Sequence, residues 1–178
     1  TGGFQQDVDF SWERFRERVN SDLSDTVGNF CYRSLLFAAR NYGGTPDADV
    51  SEDVKARIEE AVEEFRAAIN DYSLKRAGEA ATGLAGFGNQ YIQSKEPWQL
   101  DESEAAPVIR DCVQIAKAVT VLLAPFTPGK AQTAWEQLGE EGSVSDAGLD
   151  ACLAAPGSFG EPTELFEKID EERVEELN

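Results

Sequence analysis

From Asp9 to Gly44 the chain reads DFSWERFRERVNSDLSDTVGNFCYRSLLFAARNYGG. Phe15, Val19, Leu23, Val27 and Phe30 recur every three or four residues, which predicts one apolar face on a helix. No proline interrupts the run, and Ser11 or Asp9 can cap its start. Gly43 and Gly44 supply the positive φ through which a chain leaves a helix. Such a helix, about thirty residues long, extends roughly 45 Å, so other helices must pack along it. Asp25, Asn29 and Arg33 lie four apart and share a second face. That face reads either as a solvated polar ladder or as a hydrogen-bonding edge that recognises a ligand.

The same periodicity continues after the glycine pair. Ser51 caps a second predicted helix, in which Val54, Ile58, Ala61, Val62, Phe65, Ala68 and Ile69 mark one face through about Asp71. Glu59, Glu60, Glu63 and Glu64 mark the other face. Ser73 opens a third helix, buried along Leu74, Ala77, Ala81, Leu84, Phe87, Tyr91 and Ile92, and Pro97 ends it because its ring disfavours helix at Glu96. Gly78, Gly83, Gly86 and Gly88 each cost this helix about 1 kcal/mol, which predicts close packing there in compensation. A fourth helix, from about Ser103 to Ala124, is apolar enough to be the most buried. Pro125 and Pro128 break it and open a fifth, from Gly129 to Leu138. Beyond Gly139 the chain is loop-rich, with a short helix expected from Asp146 to Leu153. Leu165, Phe166 and Ile169 can dock on the bundle, and the last eight residues are expected to fray.

No stretch alternates with period two for long, so the fold class is all-α. The expected architecture is an antiparallel bundle of four to five helices with a loop-rich C-terminal tail. A single domain spans 1–178, with the bundle over about 9–138 and the tail over 139–178.

Charge and composition narrow the setting. The chain has 178 residues and a net charge of −18, from 34 acidic and 16 basic residues spread along its length. Self-repulsion on that scale destabilises a compact state in dilute salt and is screened at about 1 M, where the Debye length is about 3 Å. A high-salt cytoplasm is therefore the expected setting. No apolar run approaches the ~20 residues of a membrane span, and the N-terminus has no basic patch or apolar core of a signal peptide. The absence of methionine predicts a piece cut from a longer chain. Cys31 and Cys112 lie in apolar stretches and read as core residues of a reduced, intracellular protein.

The chain has no histidine and no C-x-x-C, which excludes ordinary zinc sites and the Ser/His and Cys/His nucleophile pairs. It also has no phosphate-binding glycine loop. No catalytic or metal-ligating residues are assigned. The composition points to a binding module rather than to an enzyme in its own right.

Several segments, in order, resemble one family. Asp9-Phe10-Ser11-Trp12, Arg18-Val19-Asn20-Ser21-Asp22-Leu23 and Gly28-Asn29-Phe30-Cys31-Tyr32-Arg33 resemble the first long helix of the anticodon-binding domain of methionyl-tRNA synthetases. Asn89-Gln90-Tyr91 with Lys95-Glu96-Pro97-Trp98 resembles the family's N-x-Y…P-W segment. Leu123-Ala124-Pro125-Phe126-Thr127-Pro128 with Trp135-Glu136-Gln137-Leu138-Gly139, and then Leu165-Phe166-Glu167-Lys168-Ile169-Asp170, resemble its later stretches.

The resemblance implies a class I synthetase helical bundle that reads the CAU anticodon of methionine tRNA. On it, Asn29 and Arg33 match the positions that hydrogen-bond the first anticodon base, a cytosine. Trp98 matches the aromatic residue on which the unstacked base lies. Asp25 stands where the bacterial pattern often has asparagine, and Gln93 completes the candidate RNA-binding set. ATP and magnesium would belong to the parent's catalytic domain with its HIGH and KMSKS signatures, neither of which occurs here. The implied partners are methionine tRNA, through its anticodon loop, and that catalytic domain, with neither DNA nor a membrane. The parent would be a cytoplasmic ATP-dependent ligase, and this stretch would hold no cofactor.

The chemistry supports this reading. RNA loops are recognised by splaying bases out, stacking them on aromatics and bonding their edges. An Arg40, Arg33 and Lys95 cluster would offset the acidity near the site. The competing reading is an acidic helical scaffold that binds a protein partner through an apolar groove, with Trp98 buried. Exposure of Trp98 separates the two.

Overall fold

The computed structural model describes residues 10–176. All elements among them are helical, and no strand occurs. The N-terminal rod comprises α1 (Trp12–Arg18), a π-helical segment (Val19–Gly28) and α2 (Asn29–Tyr42). Ser11 caps it by accepting from the Arg14 N–H at 3.2 Å, and Asp9, the other candidate cap, lies outside the described residues. Gly43, at φ 71°, closes it, with the Gly43 and Gly44 N–H groups returning to Ala39 and Ala38 carbonyls.

The rod is unbroken, as its periodicity predicts, but its middle is wide. The Asn29 N–H reaches back five residues to the Ser24 carbonyl. Polar, weakly helix-forming residues fill this segment, and the Thr26 hydroxyl donates to the Ser21 carbonyl at 2.7 Å, inserting into the ladder. Wide turns rotate the side chains before them relative to those after. The predicted single apolar face is therefore corrected. Val27 and Phe30 are core residues, Val19 and Leu23 are half-buried, and Phe15 is 45% exposed beside Phe10 and Trp12.

After the rod come α3 (Glu52–Asn70), α4 (Leu74–Lys95), α5 (Glu102–Leu123) and α6 (Pro128–Gln137). Helix α4 lies between α3 and α5, and α2 packs on α5. Val54, Ile58, Ala61, Val62, Phe65 and Ala68 are buried along α3, while Ile69, at its end, is exposed. On α4 the Ser73 hydroxyl caps the Arg76 N–H at 3.4 Å, and Leu74, expected inside, is exposed in the first turn. Ser51 does not cap α3 with its side chain; its own N–H donates to Asp111 Oδ1 at 2.8 Å. The Tyr91 hydroxyl donates to the other oxygen, Oδ2, at 2.6 Å. Asp111 thus joins the start of α3, the end of α4 and α5. Burial, and then the Asp111 bond, push the Tyr91 pKa upward, so Tyr91 stays a neutral donor.

Helix α5 is buried without interruption from Ile109 to Leu123. Its polar residues are covered because the tail returns over them. The Gln114 amide donates to the Cys152 and Ala154 carbonyls at 2.7 and 3.0 Å. The Lys117 ammonium, 1% exposed as a residue, donates to Glu140 Oε1 at 2.7 Å and to the Ala155 carbonyl at 3.1 Å. Two short 3-10 turns, Val144–Asp146 and Leu149–Cys152, replace the predicted helix from Asp146 to Leu153.

Beyond Gly157 the tail runs extended along the rod. Asn20 clamps Ile169 in both directions, each bond 2.8 Å long. Leu165 is buried, and α7 (Glu171–Glu175) docks through the buried Val174. The expected fraying therefore does not hold for Glu171 to Glu175, because Val174 and an Arg16–Glu171 ion pair of 3.1 Å anchor this turn. All three cysteines are buried; burial pushes the Cys31 and Cys152 thiols up to about 12 and raises Cys112 as well.

Of the four α4 glycines, only Gly88 is required by close packing. A methyl group there would enter the Phe30 ring, whereas Gly83 and Gly86 face open space. Gly88→Ala is expected to cost about 1–3 kcal/mol through overpacking. Gly83→Ala is expected to gain about 0.5–1 kcal/mol. Urea midpoints of the two variants should move in opposite directions. Tyr91→Phe leaves the buried Asp111 carboxylate short of a donor and should cost about 1.5–3 kcal/mol by the same measurement. Screening of the −18 charge should raise the melting temperature by about 5 °C or more between about 0.1 and 1 M KCl, as followed by circular dichroism. An unchanged melting temperature would contradict the role given to self-repulsion.

Candidate nucleic-acid interface

Asp25, Asn29 and Arg33 form an exposed ridge where the π-helical segment passes into α2. At its upper end the Arg33 guanidinium carbon lies over the Trp98 ring, 5.9 Å from the centroid. Trp98 belongs to a 3-10 turn (Pro97–Gln99) set by the local backbone. Glu96 turns left-handed, at φ 44°, immediately before the buried Pro97. The Gln99 N–H then bonds back to the Glu96 carbonyl at 2.8 Å. The indole is left 42% exposed, in contrast to Trp135 at 5%. Trp98 also walls a groove of about 340 Å³ shared with Phe37, Asn41, Tyr42 and Leu100. Burial of Trp98, which the scaffold reading requires, does not occur.

A planar cation over an exposed aromatic face, one helical turn from an amide, can do two things at once. The indole offers a stacking surface, and the guanidinium and amide offer hydrogen bonds to the edge of whatever stacks there. The supports of this site come from the N-x-Y segment. Asn89 donates to the Thr26 carbonyl at 2.9 Å and so holds α4 against the π-helical segment, while Tyr91 is anchored on Asp111.

The remaining candidates are placed differently. Asp25 faces the tail, with Lys168 Nζ 2.7 Å from its Oδ1. Gln93 is exposed on α4, and its side chain makes no hydrogen bond among the described residues. The expected basic cluster is smaller than predicted. Arg40 is taken up by Glu161, at 2.7 Å from Nη2 and 3.2 Å from Nε. Arg33 and Lys95 have no carboxylate partner among the described residues, and Lys95 Nζ lies 5.5 Å from the Tyr91 ring centroid. Lys168 was not singled out from the sequence. It is one lysine in an acidic tail, and only the return of that tail along the rod brings it to the ridge. No group of histidine, cysteine or carboxylate side chains arranged to hold a metal occurs among the described residues.

Comparison with known proteins accounts for nearly the whole chain. Residues 42–178 match the family described as the anticodon binding domain of methionyl tRNA ligase. Residues 1–35 match the family of class I tRNA synthetases for methionine. A methionine–tRNA ligase from Halobacterium salinarum is 57% identical over 99% of this chain and 26% of that protein. The ligase of Haloquadratum walsbyi is 58% identical over 99% of the chain and 24% of that protein. That of Methanospirillum hungatei is 38% identical over 97% of the chain and 27% of that protein. The chain thus spans about a quarter of the length of these relatives. In fold it is similar to the ligand-free methionyl-tRNA synthetase of Mycobacterium tuberculosis, with a TM-score of 0.85 at 24% identity over 95% of this chain and 37% of that one. The acidic composition fits the halophilic sources among these relatives, Halobacterium salinarum and Haloquadratum walsbyi. The chain belongs to the methionyl-tRNA ligase family, as its anticodon-binding domain with a short edge of the catalytic part.

Proposed function

We propose that this chain reads the CAU anticodon loop of methionine tRNA on behalf of a ligase that joins methionine to that tRNA. The observation that carries the reading is the Arg33 guanidinium over the exposed Trp98 ring, one turn from Asn29, in a chain of this family. The first anticodon base leaves its stack and lies on Trp98, which contributes about 1–3 kcal/mol. Cytosine presents one amino donor and two acceptors at its edge. Arg33 donates to O2 and N3, and the Asn29 amide matches a donor or an acceptor. Uracil presents N3–H where cytosine presents a lone pair, so its edge meets the guanidinium donor to donor. ATP and its magnesium belong to the catalytic portion of such a ligase, and the chemistry takes place there, in the cytoplasm. The residues here select the tRNA and hold its loop.

The net charge of −18 repels phosphate, so affinity rests more on base contacts than is usual for RNA-binding proteins. Titration of the chain with labelled stem-loops in about 1 M KCl tests this. A CAU loop should bind at least tenfold more tightly than a UAU loop, as a bidentate edge contact implies. Arg33→Ala should abolish that preference, and Trp98→Ala should weaken both loops by about tenfold. Equal binding of the two loops by the unmodified chain, or a steep loss of affinity with added salt, would overturn the reading.

A further inference from the structure

No residue of helix α1 (Trp12–Arg18) is buried, and its contacts are with the π-helical segment that continues it and with α7. At its start stands a cluster of three rings. Phe10 meets Trp12 edge-on with centroids 4.8 Å apart, and Phe15 lies 6.1 Å from Phe10 and 6.0 Å from Trp12. Phe10 is 64% exposed and Phe15 45%, in a chain of net charge −18. We infer that this cluster is one half of an apolar joint. It seats in a hydrophobic socket on the catalytic part of the same polypeptide and so fixes the direction in which the rod carries the anticodon ridge. The inference rests on the ligase reading above and adds a positioning role at the opposite end of the rod.

Position selects the occupant. Residues 1–35 match the family of class I tRNA synthetases for methionine, whereas the match to the anticodon-binding family starts at residue 42. The cluster therefore lies in the stretch shared with the catalytic family. The chain spans about a quarter of its relatives, so the larger part of such a ligase is tethered to this one and meets it at high effective concentration.

Direction agrees. A steady 3.6-residue period would place Phe15 on the core side with Val27 and Phe30, and the wide turns between them swing it outward instead. Among the described residues the tail leaves the rings uncovered, since α7 meets α1 through Arg16, which pairs with Glu171 at 3.1 Å. Shape agrees as well. Trp12 stands at 85° to Phe10 and at 88° to Phe15, so the cluster presents edges and corners that fill an apolar hollow. A nucleobase needs one open flat face, as at Trp98. In concentrated salt exposed ion pairs are screened, and an apolar contact is the kind of joint that keeps its strength.

Leverage gives the joint its effect. Phe15 and Arg33 are 18 positions apart, which is roughly 25 Å along the rod. A tilt of about 10° at the joint moves the ridge by about 4 Å over that length. Misplacement by about 1 Å can cost about a hundredfold in rate.

The test uses the full-length ligase that contains this chain, in about 1 M KCl. Phe10→Ser/Phe15→Ser is compared with Phe10→Leu/Phe15→Leu, which keeps an apolar surface, and melting curves verify the fold of both. The serine variant should lose about a hundredfold in kcat for charging methionine tRNA. Its methionine-dependent ATP–pyrophosphate exchange, which needs no tRNA, and its affinity for the CAU stem-loop should be unchanged. Its α1 amides should exchange with solvent faster than in the unmodified ligase, and the leucine variant should restore both charging and amide protection. Undiminished charging, unchanged α1 protection or loss of pyrophosphate exchange in the serine variant would overturn the joint. So would failure of the leucine variant to restore charging. A fall in stem-loop affinity, which makes RNA the occupant, or dissociation of a dimer, which makes it a second copy, would overturn it too. If the unmodified ligase does not charge methionine tRNA, the ligase reading falls and the joint with it.

Discussion

The buried ammonium of Lys117 constrains the rest of the molecule. A charge with 1% exposure persists only where it is paired and hydrogen-bonded, and Glu140 and the Ala155 carbonyl meet that need. The same Glu140 oxygen accepts the Gly157 N–H at 3.0 Å, so one carboxylate fixes both the cation and the turn of the tail. Trp135 adds its ring, 5.3 Å from the ammonium. From this point the tail runs on along the rod to the Asn20 clamp. The pair is a device for directing the path of the chain. Its net contribution to stability is small by comparison, because desolvation offsets most of its attraction.

The helices and most of their boundaries were legible because apolar periodicity, capping serines and prolines act locally. The π-helical middle of the rod was not, although Asn20, Ser21, Ser24, Asp25 and Thr26 are poor helix formers and hint at it. Propensity says that a stretch is weak; it does not say that the Thr26 hydroxyl will enter the ladder at the Ser21 carbonyl and widen the turn. The spacing of Arg110, Gln114 and Lys117 on α5 is that of a solvated face, and only the returning tail makes it interior. At the site, the candidates came from the family resemblance, and the structure adds the geometry. Arg33 and Trp98, 65 positions apart in the chain, come together with the guanidinium carbon 5.9 Å from the ring centroid, while Lys168 joins the ridge through a long-range path that no local pattern encodes.

The acidity and the proposed RNA contact coexist because they occupy different surfaces. The carboxylates of α3 project outward at Glu59, Glu60, Glu63 and Glu64, on the face away from the α4 contact. Near Trp98 the cations Arg33 and Lys95 are not consumed by ion pairs among the described residues. A protein that works in concentrated salt gains little from phosphate neutralisation, since the release of counterions is worth less there. Stacking and edge contacts keep their value in salt, and they are what this face offers.

The three interior cysteines carry a practical consequence. Their thiols are sealed inside the bundle and held protonated well above neutral pH, so the folded chain behaves toward alkylating reagents as though it had no cysteine. A single cysteine introduced on the surface, for example at Gln93, would then take a fluorophore or spin label cleanly. The fold thereby provides a silent background against which the approach of a nucleic acid to the ridge can be watched from one chosen position at a time.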